Sequence, residues 1–530
     1  MSAVSASHPQ ESHLADIPET IVGLVDRAGH LHPDDPAIIF DDGLEISRGE
    51  LLERSERFAG YLREHTEPGE MVAAMSANCV ELMIAWIATV ANGCAFVALN
   101  PDAGEHDLTH VLTDSQAVMV ICDEPSAQTL EQLPARPASI REQLVLRGSE
   151  PQRLEPWQGA QPLRFADLQL DPTAITNVYY TSGTTGPPKG CMVAHAYWRR
   201  MVNSYLSERG LTAEDRILCC LKFFYNDPSW QLLTSLQAGA ALVVMRKFSV
   251  SRYWDVVNEN DVTQLFTIGS IPALLLSAPP SPREREHKVR FGVQVAIDAS
   301  LHREMTDRWG IPWMDAYGLT ETGGLIGMPP QEAERMTGSG AMGIPRGGVE
   351  VRLVGDDGGE VEDGRPGELL VKAPDIMSGY LNRPEATAEA IDEQGWFHTG
   401  DYVRRDEAGW MYFVGRKKDI VRRAGENIAA AEVEEVLRTH PLVIDAAVVP
   451  VEDKLRGEEV LAYVYTSSDE QPQALARSLT DLCAEKLARH KVPRYLIFTS
   501  EDLPRTPSMR VAKSQLPRGQ VPADAWDRES

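Results

Sequence analysis

The run Tyr180-Thr181-Ser182-Gly183-Thr184-Thr185-Gly186-Pro187-Pro188-Lys189-Gly190 follows an apolar, strand-like stretch. Its glycines let the backbone approach an anion closely and turn sharply. The hydroxyls of Thr181, Ser182, Thr184 and Thr185 can donate hydrogen bonds to phosphate oxygens, and Lys189 adds a positive charge. A plain surface turn needs only one or two such residues, so the stronger reading is a phosphate-binding loop. The spacing is not that of a Walker loop, and the strand–loop–helix mechanics of those NTPases do not carry over.

The rest of the chain bounds what such a loop could serve. Its 530 residues predict more than one domain and a large core. Lys and Arg number 51 against 78 Asp and Glu, a formal charge of −27. That excess argues against a broad nucleic-acid-binding surface, while a local cluster can still hold a small anion. The 7 cysteines show no metal-type spacing and read as buried thiols of a reducing compartment. The first residues lack a basic region followed by an apolar run, and the most apolar stretch, residues 82–90, is too short to span a bilayer. It reads as a buried helix, and the default expectation is a cytoplasmic protein.

Elements that could position the loop alternate along the chain. Strands are expected at 71–75, 118–122, 177–181, 241–245, 265–268 and 293–297, with helices between them such as 48–65 and 80–91. This alternation predicts α/β layers with largely parallel sheets. After about Gly338 the pattern becomes period two, at 349–354 and 368–372, around Gly/Asp/Pro turns, which predicts a small antiparallel β unit within 338–417. Beyond Gly415-Arg416-Lys417-Lys418-Asp419, helices at 431–439 and 474–488 and strands at 445–449 and 460–465 predict a separate α+β domain. The expected division is 1–417 and 418–530.

The loop resembles the signature of the adenylate-forming (ANL) superfamily, which includes acyl-CoA synthetases, aryl-CoA ligases, luciferases and peptide-synthetase adenylation domains. The resemblance runs from about Glu19 to Pro517, and its texture is similar to that of carnitine/crotonobetaine-type CoA ligases. It implies a large α/β N-terminal domain with a small β-barrel-like unit, and a small α+β C-terminal domain that rotates about a hinge. It implies ATP, Mg²⁺ and an acid as ligands, with CoA most often the acceptor of the activated acid. No nucleic acid and no membrane span are implied.

Further motifs are carried over residue by residue. Tyr317-Gly318-Leu319-Thr320-Glu321-Thr322 resembles the second family signature, in which the aromatic ring stacks on adenine, the threonine contacts the α-phosphate and the glutamate holds Mg²⁺. A divalent cation between a carboxylate and a triphosphate is physically reasonable, because the two repel each other without one. The alternative is that Thr320 caps a helix. Trp396-Phe397-His398-Thr399-Gly400-Asp401 resembles the ribose motif, with Asp401 on the ribose hydroxyls. Arg416 matches a second ribose contact, and Lys418 matches the hinge; a solvated charged turn is the alternative there. Ala424-Gly425-Glu426-Asn427-Ile428 resembles the loop lining the pantetheine tunnel. Asp298 matches a loop bordering adenine and the acid pocket, although capping the following helix is its more natural role.

Two positions depart from the family pattern. Where the family carries an aromatic–His pair, this chain has Phe223-Phe224, followed by Tyr225-Asn226-Asp227. Asn226 and Asp227 then either line the acid pocket, with Phe224 and Trp230 narrowing it, or form a turn before Pro228. Near the C-terminus, Arg510 stands where the family has a lysine that bridges the acid and the α-phosphate, and Lys513 is a second candidate. The leading expectation is therefore adenylation of an acid by Lys189, Thr320, Glu321 and Arg510, followed by transfer, most often to CoA. The departures leave two alternatives open: activation of nitrite for diazotisation of an arylamine, as in a few relatives of the CoA ligases, and a nucleotide-binding protein on an impaired ligase scaffold.

Overall fold

The structure is a computed structural model and describes residues 16–134, 137–146, 156–181, 187–424, 426–466, 472–505 and 511–529. Residues 182–186 of the phosphate loop and 506–510, with Arg510, lie outside the described residues. Backbone contacts divide the chain into two compact units, Met1–Glu350 with Lys372–Glu393, and Val351–Val371 with Gln394–Ser530.

The first unit is built on two sheets. Among the described residues the seven-stranded sheet runs Glu142–Leu146, Met119–Asp123, Met71–Met75, Ala95–Ala98, Ile175–Thr181, Lys189–Ala194 and Gly379–Tyr380. Its pairs are parallel up to Ile175–Thr181 and antiparallel beyond. A second sheet runs Glu45–Ser47, Pro36–Phe40, Ala241–Val244, Arg216–Cys219, Gln264–Ile268, Phe291–Val295, Trp313–Leu319, Gly323–Gly327 and Ala341–Pro345. Its five consecutive pairs from Pro36–Phe40 to Trp313–Leu319 are parallel. Strands buried on both faces need continuous apolar runs, and Ala241–Val244, for example, is buried at every position.

Helix Val80–Ala91 is buried at all of its residues, as its all-round apolar sequence requires. The indole N–H of Trp86 donates to Asn177 Oδ1 at 3.1 Å, on the strand that leads into the phosphate loop. Truncating a fully buried tryptophan to alanine typically costs about 3–5 kcal/mol, so this contact anchors the loop's entry strand to the core.

In the second unit, strands Glu350–Val354, Pro366–Lys372, Phe397–Arg405 and Met411–Arg416 are neighbours in that order, the last three pairing antiparallel. A further sheet runs Glu426–Ala429, Ile420–Arg423, Gly457–Thr466, Tyr495–Thr499 and Trp526–Asp527, and Val443–Asp453 also pairs with Gly457–Thr466. Helices Ala430–Arg438 and Pro472–Lys486 supply Val433, Leu437, Leu475, Leu479 and Cys483 at helical spacing to one core, against Val448, Val460, Ala462 and Val464. No helix among the described residues is long and apolar enough to cross a membrane. The seven cysteines, all among the described residues, stand outside any disulfide, six of them buried and Cys79 half-buried.

Candidate functional site

The phosphate loop is the connection of an antiparallel hairpin. Thr181 ends one strand and Lys189 begins the next, and the two residues face each other across the ladder. Gly190 is required at its position. A Cβ there would lie 2.8 Å from Val178 Cγ1 and 3.2 Å from Leu381 Cβ. Helix His195–Arg209 follows directly.

Residues 320–322 form a tight turn between strands Trp313–Leu319 and Gly323–Gly327, so no helix follows for Thr320 to cap. Each carbonyl of this turn accepts a hydrogen bond. Tyr197 Oη donates to Thr320 O at 3.1 Å, Met377 N donates to Glu321 O at 2.7 Å, and the Arg200 guanidinium donates to Thr322 O. Two of these three donors stand on the helix after the phosphate loop, so the two motifs are fastened to each other. The Glu321 carboxylate completes the link: its Oε1 accepts from Thr181 Oγ1 at 3.3 Å and from Tyr380 Oη at 2.9 Å. Among the described residues no donor is recorded for Oε2. Lys189 Nζ lies 5.0 Å from the centroid of the Tyr380 ring.

This donor set fits a magnesium ion brought in with a triphosphate. Mg²⁺ is commonly held by one or two carboxylates plus phosphate oxygens and water, not by an all-protein cage. Among the described residues Glu321 has one oxygen tethered and the other without a donor, and no cluster of three or more His, Cys, Asp or Glu groups suited to a metal is present.

Tyr317 is buried on strand Trp313–Leu319. Two residues earlier, the Asp315 carboxylate accepts from the backbone amides of Ala296 at 3.0 Å, Ile297 at 3.1 Å and Ala316 at 2.7 Å. Burial pushes its pKa up to about 8 against these amide bonds. This contact explains why the strand expected at 293–297 ends at Val295. Ala296 turns into the left-handed region at φ 61° so that its amide and the next both reach Asp315. Asp298 then caps helix Ala299–Trp309, accepting from Ser300 N at 2.8 Å.

Asn226 and Asp227 do not form a free-standing turn. They begin helix Asp227–Ala238, whose Pro228 occupies a first-turn position that needs no N–H. Asn226 Nδ2 donates to Tyr197 Oη at 3.2 Å, so a hydrogen-bonded chain runs Asn226–Tyr197–Thr320. Asp227 Oδ1 accepts from Trp230 Nε1 at 3.2 Å, and burial pushes its carboxyl up to about 6. Phe223 turns into the core against Trp86, leaving Phe224 tilted against Tyr225 with ring centroids 4.0 Å apart. Buried His195 accepts from Ile21 N at 3.1 Å, and burial lowers its pKa to about 4, so it stays neutral and structural.

In the second unit, Asp401 faces Arg416 across the ladder, and Arg416 Nε lies 2.9 Å from Asp401 Oδ1. Lys417 Nζ lies 2.5 Å from Glu368 Oε2, and Lys418 is exposed on the single turn Lys417–Asp419. Lys513 Nζ lies 2.6 Å from Glu434 Oε1, and Glu434 also accepts from Val448 N at 2.7 Å. Arg505 and Val511 form a bridge, and Ala512 N donates to Pro504 O at 2.6 Å.

Sequence reasoning missed Tyr197, Arg200, Asp315 and Tyr380. Asp315 stands two residues before a recognised motif and could have been found there. The others carry no local signal, because their partners lie 59 to 123 residues away in sequence.

Known proteins resemble the chain over most of its length. The AMP-binding enzyme family matches residues 25–381, and the AMP-binding enzyme C-terminal domain matches residues 432–510. The chain is 28% identical over 513 residues to a crotonobetaine/carnitine–CoA ligase of Citrobacter koseri, covering 93% of this chain and 97% of that protein. Among solved structures it is similar to ATP-bound MatB from Rhodopseudomonas palustris, with a TM-score of 0.82 at 26% identity, covering 93% of this chain and 97% of the other. It is also similar to o-succinylbenzoate CoA synthetase from Bacillus subtilis in complex with its acyl-adenylate, with a TM-score of 0.80 at 28% identity, covering 94% and 99%.

Proposed function

The chain belongs to the AMP-binding enzyme family, and from that premise we propose that it activates a carboxylic acid as an acyl-adenylate and transfers the acyl group to the thiol of CoA. The observation that carries this reading is Glu321 Oε1 accepting a hydrogen bond from Thr181 Oγ1, which ties the candidate metal carboxylate to the residue opening the phosphate loop. A protein that used only one of these motifs would not need that link.

In the first half-reaction a carboxylate oxygen of the acid attacks the α-phosphorus of ATP. The new O–P bond forms as the α–β bridging P–O bond breaks, and pyrophosphate leaves. Lys189 offsets charge on the polyphosphate, and Thr320 contacts the α-phosphate from a turn whose carbonyls are all tethered. Magnesium held beside Glu321 would supply further neutralisation of the triphosphate. Arg510 bridges the acid and the α-phosphate; the pairing of Lys513 with Glu434 supports Arg510 in that role. Asp401 and Arg416 receive the ribose hydroxyls. In the second half-reaction the CoA sulfur attacks the acyl carbon and AMP leaves. No protein group becomes a covalent nucleophile, so catalysis rests on positioning and charge.

Asn226, Asp227, Phe224 and Trp230 line the acid pocket in this reading, and Asp298 borders it from its capping position. Lys418 is the hinge about which residues 418–530 turn, a point inside the second compact unit. The deciding experiment measures pyrophosphate release from ATP with a panel of carboxylic acids, then product mass with CoA. Acid-dependent release and a CoA thioester are expected. Release only with nitrite plus an arylamine, or with no acid at all, would overturn the proposal.

A further inference from the structure

We propose that Tyr380 is the positioning residue of the triphosphate site: its phenol orients the Glu321 carboxylate and its ring face steadies the Lys189 ammonium. The inference deepens the adenylating function above and rests on it.

Tyr380 is itself held from several sides. The two-residue strand Gly379–Tyr380 pairs with Lys189–Ala194, with Tyr380 opposite Cys191. Ser378 N donates to Met192 O at 2.8 Å, and Leu381 N donates to Gly190 O at 2.7 Å. Tyr380 N donates to Thr387 Oγ1 at 2.9 Å. Gly379 has φ 138°, and a Cβ there would lie 2.9 Å from Thr387 Cγ2, so only glycine allows this approach. The ring is thus fixed to the backbone of the strand that carries Lys189.

From that position the same short segment grips Glu321 at both ends. Met377 N donates to its carbonyl at 2.7 Å, and Tyr380 Oη donates to its Oε1 at 2.9 Å. Because Thr181 Oγ1 donates to that same oxygen, the carboxylate plane is set by two neutral donors. A lysine or arginine in place of the phenol would orient the carboxylate equally well but would cancel its charge. The ring lies 5.0 Å from Lys189 Nζ, where the quadrupole of an aromatic face attracts an ammonium without neutralising it. One side chain therefore sets the direction of both an anion and a cation while leaving each available to the nucleotide.

The test is calorimetric binding of ATP to the full-length protein, with no acid present, over a range of Mg²⁺ concentrations. Tyr380→Phe keeps the ring and removes the hydroxyl. It is expected to raise the Mg²⁺ concentration for half-maximal enhancement of ATP binding by about 10-fold, the size of a hydrogen bond to a charged group. Affinity for ATP without Mg²⁺ should stay at the wild-type value, which a general loss of structure would not allow. Tyr380→Leu should in addition weaken metal-free ATP binding by about 3-fold, from the loss of the ring–ammonium contact. A Tyr380→Phe protein with an unchanged Mg²⁺ dependence would overturn the role of Tyr380 alone. Wild-type protein that binds no ATP would instead count against the ligase reading on which it rests.

Discussion

The two compact units hold their candidate charged groups in opposite ways. In the first, Glu321 is tethered by a threonine hydroxyl and a tyrosine hydroxyl, and Lys189 lies against an aromatic face. In the second, Asp401 is paired with Arg416, Lys417 with Glu368, and Lys513 with Glu434. A charge held by neutral partners keeps its full field for a ligand. A charge held by a counter-ion has already spent much of that field, and a ligand must compete for it. The first arrangement suits groups that must neutralise a triphosphate, and the second suits groups that position a sugar or hold the domain's own fold.

The largest expected effect breaks the neutral tethering side. Lys189→Ala or Glu321→Ala should lower acid-dependent pyrophosphate release by about 10²–10³-fold, because each leaves polyphosphate charge unmatched. Undiminished release from either variant would remove the phosphate-loop assignment.

The second test separates Arg510 from the paired Lys513. Arg510→Ala should slow adenylation by about 10²-fold, with a smaller effect on acyl transfer from preformed adenylate. Lys513→Ala should leave adenylation within about 3-fold and instead lower stability by about 1–3 kcal/mol, because Glu434 loses its partner while still bound to Val448 N. Half-reaction kinetics and denaturant titration read the two effects apart, and a reversed pattern would move the bridging role to Lys513.

A third test concerns Lys418, exposed on the turn Lys417–Asp419. Lys418→Pro restricts φ at the proposed hinge and should alter the two half-reactions unequally, by about 10-fold in their ratio. Equal loss in both, with the fold intact by circular dichroism, would argue against a hinge there.

The smallest effect lies at Asp227, a carboxylate held by a neutral indole but also desolvated. Its folded pKa of about 6 lies above the ordinary value of 3.8 for an aspartate, so folding favours its protonated form. Its stability contribution is therefore intact below about pH 4 and falls as pH rises towards 6 and beyond. Asp227→Asn should stabilise the protein by about 1–3 kcal/mol at pH 8 and change little at pH 4. Equal melting shifts at both pH values would show that the carboxylate is not desolvated.

Much of the scaffold was legible in the sequence because its signal is local. Helix Val80–Ala91 follows from a continuous apolar run, and the core faces of Ala430–Arg438 and Pro472–Lys486 follow from helical spacing. Asp298 as a cap follows from its place one residue before a helix. The candidate site was legible only where motif residues are contiguous, at the loop around Lys189 and at Thr320-Glu321. The turn considered at Asn226-Asp227 instead became a helix start, because Pro228 tolerates a first-turn position and the helix buries Trp230, Leu232, Leu233 and Leu236.

Element types, the family and the identity of the charged groups are therefore written locally, since each depends on residues close together along the chain. How those charges are held depends on packing. Whether Glu321 meets a hydroxyl or a cation depends on which strand lies beside which, and Tyr380 reaches it from 59 residues away through a two-residue edge strand. Hydrogen bonds act over about 3 Å, so the partner of a side chain is set by sheet order and packing, which no local pattern records.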